Sequence, residues 1–129
     1  MRSRVLVVDD EALIRWSLAE GFRDAGWIVQ SASTLAMARQ CLEEAQWDLI
    51  VCDVKLPDGK GFELLAAVRH DDAAPPFLLI TAHGDPVMRE AVIADGAVGL
   101  IDKPFELSSL IEQATQIVEA TKPLKTTSQ

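Results

Sequence analysis

No apolar run in the chain approaches the roughly 20 residues that a membrane-spanning helix needs, so no membrane contact is expected. Basic residues are scarce: 12 Lys and Arg stand against 20 Asp and Glu, a formal net charge of −8. Nucleic-acid backbones are bound by clustered Lys and Arg, so direct contact of this domain with DNA or RNA is not expected. Cysteine is limited to Cys41 and Cys52, with no metal-ligand spacing between them. Cys52 lies in an apolar run and reads as a small core residue; Cys41 lies on an expected helix. A disulfide would be unusual in a reducing compartment. The start Met1-Arg2-Ser3-Arg4 leads into only four apolar residues before Asp9, too few for the core of a secretory signal. A cytoplasmic location is the resulting expectation. No internal repeat or low-complexity block is visible.

What is present suits one domain. The 129 residues suffice for one and are too few for two of ordinary size, and 49% hydrophobic residues can build a sizeable core. Short apolar runs alternate with helical patterns. The runs are Val5-Leu6-Val7-Val8, Trp27-Ile28-Val29, Leu49-Ile50-Val51-Cys52, Phe77-Leu78-Leu79-Ile80 and Gly99-Leu100-Ile101. The first, third and fourth are continuously apolar, as in strands buried on both faces of a parallel sheet. Between them, apolar residues recur at helical spacing: Ile14, Leu18, Phe22 and Ala25; Leu35, Ala38, Leu42 and Ala45; Phe62, Leu65 and Ala66, with Arg69 as a polar end; Val87, Ala91 and Ala94. The last stripe, Leu107, Leu110, Ile111, Ala114, Ile117 and Val118, is the clearest. Asp85-Pro86 predicts a helix start, Gly26 and Gly96 predict helix ends, and Pro57-Asp58-Gly59 and Ala74-Pro75-Pro76 predict loops.

Five strands alternating with five helices predict an α/β fold, a doubly wound five-stranded parallel sheet of order 2-1-3-4-5. Ligands in such sheets bind at the carboxyl ends of the strands, near the switch point between strands 1 and 3. Asp9 and Asp10 follow the first strand, Asp53 the third, Thr81 the fourth and Lys103 the fifth. Singly, each has a plain explanation: an Asp after a strand is often a turn residue, Thr81 could be a cap, and Lys103, His70 and His83 could be solvated. Together they place carboxylates, a hydroxyl and an ammonium on one rim. Clustered carboxylates repel one another, and a divalent cation with Lys103 would relieve that repulsion. Oxygen ligands with room for water and a phosphoryl group suit Mg²⁺.

Other proteins of this fold class bind differently. A flavin site would need a hydroxyl- or glycine-rich phosphate loop after the first strand, where this chain has Asp9-Asp10-Glu11. A phosphohydrolase working through an aspartyl phosphate usually carries its nucleophile after the first strand in an Asp-x-Asp pattern, with a cap domain.

From about Arg4 to Ala120 the chain resembles the receiver domains of bacterial two-component response regulators. The resemblance rests on Val5-Leu6-Val7-Val8-Asp9-Asp10-Glu11, Asp53-Val54-Lys55-Leu56-Pro57-Asp58-Gly59, Thr81-Ala82 and Lys103-Pro104-Phe105, in that order. Ile14-Arg15-Trp16-Ser17-Leu18 and Ile80-Thr81-Ala82-His83-Gly84 are further similar to receivers of enhancer-binding (NtrC-type) transcription activators. The resemblance implies a flavodoxin-like (βα)5 receiver over residues 1–121, with 122–129 a polar tail or the start of a linker to an output domain.

The resemblance also implies the chemistry. Asp53 would accept a phosphoryl group from a sensor histidine kinase or phosphotransfer protein, the domain catalysing its own phosphorylation and dephosphorylation. Asp9, Asp10, Asp53 and the Lys55 backbone carbonyl would hold Mg²⁺, with Mn²⁺ as a substitute. Lys103 would stabilise charge on the transferring group, and Thr81 would hydrogen-bond a phosphoryl oxygen. Ala82 would leave access, while Lys55 and His83 stand at positions that tune dephosphorylation. Leu100 occupies a place where many receivers have Tyr or Phe, and Lys103-Pro104 is expected to be cis. A homodimer through the fourth helix, fifth strand and fifth helix, and control of transcription, complete the expectation. The alternative is a stand-alone receiver acting by protein contact or as a phosphorelay intermediate.

Overall fold

Apolar residues at alternate strand positions divide between two layers. A computed structural model describes residues 2–69 and 74–121. The central sheet contains β1 (Arg4–Val8), β2 (Ile28–Ala32), β3 (Leu49–Asp53), β6 (Phe77–Thr81) and β7 (Gly99–Asp102). Its order is β2-β1-β3-β6-β7 with every pairing parallel, which is the 2-1-3-4-5 order predicted for the five apolar runs. The labels β4 (Lys55–Leu56) and β5 (Gly59–Lys60) belong to a separate antiparallel hairpin of two-residue strands. Such short strands leave no periodic signal, and Pro57-Asp58-Gly59 was legible only as a loop.

Because strand side chains alternate in direction, Leu6, Val8, Ile50, Cys52, Phe77 and Leu79 form one buried layer. It packs against α2 (Leu35–Glu44), α3 (Gly61–Val68) and α4 (Pro86–Ala94). Val5, Val7, Leu49, Val51, Leu78 and Ile80 face the other way, onto α1 (Ala12–Asp24) and α5 (Leu107–Thr121). The continuous apolar runs of β1, β3 and β6 are thus explained: both faces are covered. Cys41 and Cys52 are both free and buried. Among the described residues no helix is long and apolar enough to cross a membrane.

Several element details differ from the sequence expectation. β2 starts at Ile28 and continues through the polar Gln30 and Ser31, because as an edge strand it is only partly covered. Trp27 precedes it, packed edge-on against Phe22 at 4.9 Å between ring centroids. In α2, Leu35 and Ala38 are buried as expected, but Cys41 takes the third place and Ala45 lies beyond the helix as its C-cap. Of the predicted α3 stripe, Leu65 is buried and Phe62 partly so, Ala66 and Arg69 are exposed, and Gly61 and Leu64 complete the buried face. A Cβ on Gly61 would lie 2.5 Å from the Asp53 carbonyl oxygen, so close approach of the helix start sets its rotation. In α4 the predicted stripe is the outer face: Val87, Ala91 and Ala94 are exposed and Val92 is buried. A short helix with apolar residues on more than one face carries no sequence signal for which face is covered.

The predicted boundaries at Asp85, Gly26 and Gly96 are present. The Asp85 carboxylate accepts from the Met88 N–H at 2.8 Å, with Pro86 in the first turn. Gly26 and Gly96 have φ of 94° and 107°, a backbone region that favours glycine. Lys103-Pro104 is cis. His70 and the tail from Lys122 to Gln129 lie outside the described residues.

The assignment of the α4 faces is testable. Val92→Ala is expected to destabilise the domain by about 1.5–3 kcal/mol, and Val87→Ala by less than about 0.5 kcal/mol, in urea unfolding. Equal losses would mean that the helix is rotated from the orientation described.

Candidate functional site

Parallel strands end on the same side, and four of those ends converge on one depression of about 690 Å³. Asp9 follows β1, and its N–H donates to the Ala32 carbonyl at 3.1 Å. Its side chain is fully buried: Oδ1 accepts from the Glu11 N–H at 2.8 Å, whereas Oδ2 has no hydrogen-bond partner. Asp53 closes β3 and is also buried. Its Oδ1 accepts from the Lys55 N–H at 3.3 Å, and its Oδ2 accepts from Lys103 Nζ at 2.9 Å. Asp10 is exposed at the rim. Asp9, Asp10 and Asp53 each offer an oxygen within 4.8 Å of the others.

Lys103 unites the cluster. Its backbone N–H donates to the Thr81 carbonyl at 2.7 Å, which ties the end of β7 to the end of β6. Its ammonium lies 2.6 Å from Glu11 Oε2, 2.9 Å from Asp53 Oδ2 and 3.3 Å from Asp9 Oδ2. Burial opposes the charge on this ammonium, but hydrogen bonds to Glu11 and Asp53 and the nearby Asp9 outweigh it and raise the pKa. Burial pushes the Asp9 carboxyl up to about 6, partly offset by the Glu11 N–H, with the Asp53 charge adding to the rise.

The other predicted positions surround this centre. Thr81 is buried at the end of β6, and its Oγ1 accepts from the His83 N–H at 3.2 Å. Ala82 and His83 are exposed and line the depression with Lys55. Leu100 is buried in the layer that contains Val92. Pro104 is exposed. Sequence reasoning placed Glu11 only within an acidic opening, yet its carboxylate makes the shortest contact to Lys103. No residue pattern signalled that contact, because Glu11 is the N-cap of α1 and its direction follows the backbone there. Lys60 also lines the depression and had no signal, because the β4–β5 hairpin brings it there.

The donor set suits a hard divalent cation. All three clustered acids supply oxygen, and Asp9 Oδ2 is buried with no directed hydrogen bond, only the Lys103 ammonium at 3.3 Å. A buried carboxylate oxygen whose sole counter-charge is a shared ammonium at 3.3 Å is costly, and a cation among these oxygens would compensate it.

A carboxyl whose pKa is raised in the folded chain favours folding while protonated, and that contribution is lost as pH rises through about 6. Without divalent metal, stability is expected to fall by on the order of 2 kcal/mol between about pH 4 and about pH 8 on this account. Asp9→Asn should flatten that fall in chemical denaturation. An unchanged fall in the variant would assign it to other groups.

The chain matches the family model described as response regulator receiver domain over residues 5–115. It is 34% identical over 122 residues to the C4-dicarboxylate transport transcriptional regulatory protein DctD of Pseudomonas aeruginosa, covering 92% of this chain and 26% of that protein. It is 33% identical over 107 residues to the transcriptional regulatory protein BasR of Escherichia coli, covering 83% of this chain and 48% of that protein. The chain therefore spans half or less of these curated relatives. Among solved structures, the beryllofluoride-activated NtrC4 receiver domain dimer superposes with a TM-score of 0.86 at 30% identity, over 92% of this chain and 98% of that one. The chemotaxis response regulator CheY4 of Vibrio cholerae superposes with a TM-score of 0.84 at 31% identity, over 91% of this chain and 99% of that one. Sequence and fold agree across nearly the whole length, and the chain belongs to the response regulator receiver domains, the phosphoacceptor signalling modules of two-component systems.

Proposed function

We propose that Asp53 is the phosphoacceptor of this domain and that its phosphorylation switches a longer transcription regulator. The observation that carries the reading is the Lys103 ammonium, 2.9 Å from Asp53 Oδ2, beside clustered oxygens of Asp9 and Asp10. A carboxylate oxygen of Asp53 attacks the phosphorus of a phosphohistidine on a sensor kinase or phosphotransfer protein. The P–N bond breaks, its electron pair returns to the imidazole, and an acyl phosphate remains on Asp53.

Asp9, Asp10, Asp53 and the Lys55 carbonyl would hold Mg²⁺, or Mn²⁺ in its place. When bound, the cation supplies positive charge to the oxygens of the transferring group. Lys103, 2.9 Å from Asp53 Oδ2, supplies further positive charge. Thr81 turns its hydroxyl from accepting the His83 N–H to donating to a phosphoryl oxygen. The exposed Ala82 leaves the approach open, and Lys55 and His83 tune how readily water reaches the acyl phosphate. In these roles the domain promotes both its own phosphorylation and its own dephosphorylation.

The output passes through α4, β7 and α5, where copies of the chain pair. Val87, Ile93 and Val98 are exposed apolar residues on or just after α4, and the NtrC4 receiver is similar and dimeric when activated. The curated relatives are transcriptional regulators much longer than this chain, which supports a DNA-binding output outside it. These activities belong to a cytoplasmic protein.

Asp53→Asn is expected to abolish labelling by acetyl phosphate with Mg²⁺. Stoichiometric labelling of the variant at another carboxylate would falsify the assignment. Asp10→Ala should weaken Mg²⁺ binding at least tenfold, about 1.4 kcal/mol, in calorimetry, whereas Glu44→Ala should leave it unchanged. Matching affinities would remove Asp10 from the metal site.

Leu100 is already buried and has no phenol, so coupling is expected to rest on Thr81 more than on Leu100. Relative to a Phe or Tyr, the missing ring area is worth on the order of 1 kcal/mol. Sedimentation with and without beryllofluoride should show assembly kept in Leu100→Ala and lost in Thr81→Ala. A folded Leu100→Ala that no longer responds would make Leu100 the coupling residue.

A further inference from the structure

Lys60 breaks three local rules at once. It is the N-cap of α3, a place that favours side-chain acceptors for the free N–H groups of the first turn. A lysine ammonium only donates, so it cannot serve them. The one capping bond present runs the other way, from the Lys60 N–H to Glu63 Oε2 at 3.0 Å. The residue also puts a positive charge at the positive end of the helix dipole. Finally, Lys60 pairs directly with Lys55 across the β4–β5 hairpin, and like charges directly opposite are destabilising. Among the described residues neither lysine forms an ion pair.

Both lysines are exposed and line the depression that holds Asp53. Electrostatics supplies the reason to keep them there. The cluster contains Asp9, Asp10, Asp53 and, through Lys103, Glu11. Against these four carboxylates, Lys103 and one divalent cation still leave a negative excess. The whole chain carries −8 as well. An approaching dianion therefore meets net repulsion unless positive charge stands at the entrance.

We propose that Lys60, with Lys55 opposite it, forms a cationic rim that draws the dianionic phosphoryl group of a phosphodonor toward Asp53. The proposal rests on the phosphoacceptor reading of Asp53. Lys60 takes no part in bond making. With acetyl phosphate, an Asp53 oxygen bonds to phosphorus, the P–O bond to the acetyl group breaks, and acetate leaves with the electron pair. The lysine raises the frequency of productive encounter and does so at the expense of helix and hairpin stability.

Lys60→Ser tests this, because serine restores an N-cap acceptor while removing the charge. Its thermal unfolding midpoint should rise by a few degrees. At an ionic strength of about 20 mM, its Asp53 should label with acetyl phosphate and Mg²⁺ about threefold more slowly than in the unaltered chain. At about 500 mM the two rates should converge, since screening removes the steering. Lys60→Arg should keep the unaltered rate. Mg²⁺ affinity measured by calorimetry should stay the same or tighten in Lys60→Ser, because a repelling cation has gone. Equal rates at low ionic strength would overturn the proposal. So would a slowing that persists at high ionic strength or a weakened Mg²⁺ affinity, either of which makes Lys60 a structural prop of the site. Failure of the unaltered chain to label at Asp53 would overturn the phosphoacceptor reading and this one with it.

Discussion

The arrangement of the rim depends on one ammonium shared among three carboxylates. Lys103 reaches Glu11, Asp53 and Asp9 from the end of β7, across the ends of β6 and β3. Without it, the carboxylates of Asp9, Asp10 and Asp53 would repel one another with no ammonium in contact with their oxygens among the described ion pairs. The lysine reaches them because parallel strands in register deliver successive ends to one level. Thr81 pairs with Asp102, and the next backbone N–H, that of Lys103, bonds the Thr81 carbonyl. A slip of one residue along β7 would turn the side chain to the other face of the sheet.

That register is held from beneath by two apolar layers. β1, β3 and β6 are covered on both faces, so none of them can shift without exposing a full set of side chains. The hairpin after β3 is held from outside. The Asp58 carboxylate accepts from the Leu35 and Ala36 N–H groups at 2.8 and 3.0 Å, binding the hairpin tip to the start of α2. These bonds keep its carboxyl below the ordinary value. Local conflicts gather on the rim above this frame: a buried Asp9 oxygen without a hydrogen bond, two opposed lysines, and an N-cap that cannot accept. Conflicts of this kind are expected where a site needs them and the surrounding core can sustain them.

A physical connection runs from Thr81 to the outer face of α4. A Cβ at Gly84 would lie 3.0 Å from Thr81 Cγ2 and would clash with Asp102 Oδ1, so the turn after β6 is pressed against both residues. Arg89 on α4 then bridges to the end of β7. Its guanidinium donates to the Leu100 carbonyl at 2.6 Å and to Asp102 Oδ2 at 3.1 Å. The link passes through the backbone of Leu100, while its side chain stays in the core. This exposed ion pair contributes little stability alone, but its geometry joins α4 to Asp102 at the end of β7, the residue before Lys103.

The sequence by itself determined the sheet order and the residues at its ends. Continuous apolar runs of four residues bounded by turn signals fit strands covered on both sides, and five apolar runs alternating with helices fit a doubly wound sheet. Asp9, Asp10, Asp53, Thr81 and Lys103 were therefore legible as one rim from spacing and topology, and the receiver motifs singled out the same residues. The tertiary structure decided what periodicity does not encode. It chose which side of α4 is buried, because Val87 and Val92 are equally apolar and only contact with the sheet separates them. It rotated α3 onto Gly61, because only there can the helix start approach the Asp53 carbonyl. It carried Glu11 onto Lys103 and Lys60 opposite Lys55, since contacts made by a helix cap and a two-residue hairpin depend on backbone direction, which no pattern of residue types specifies.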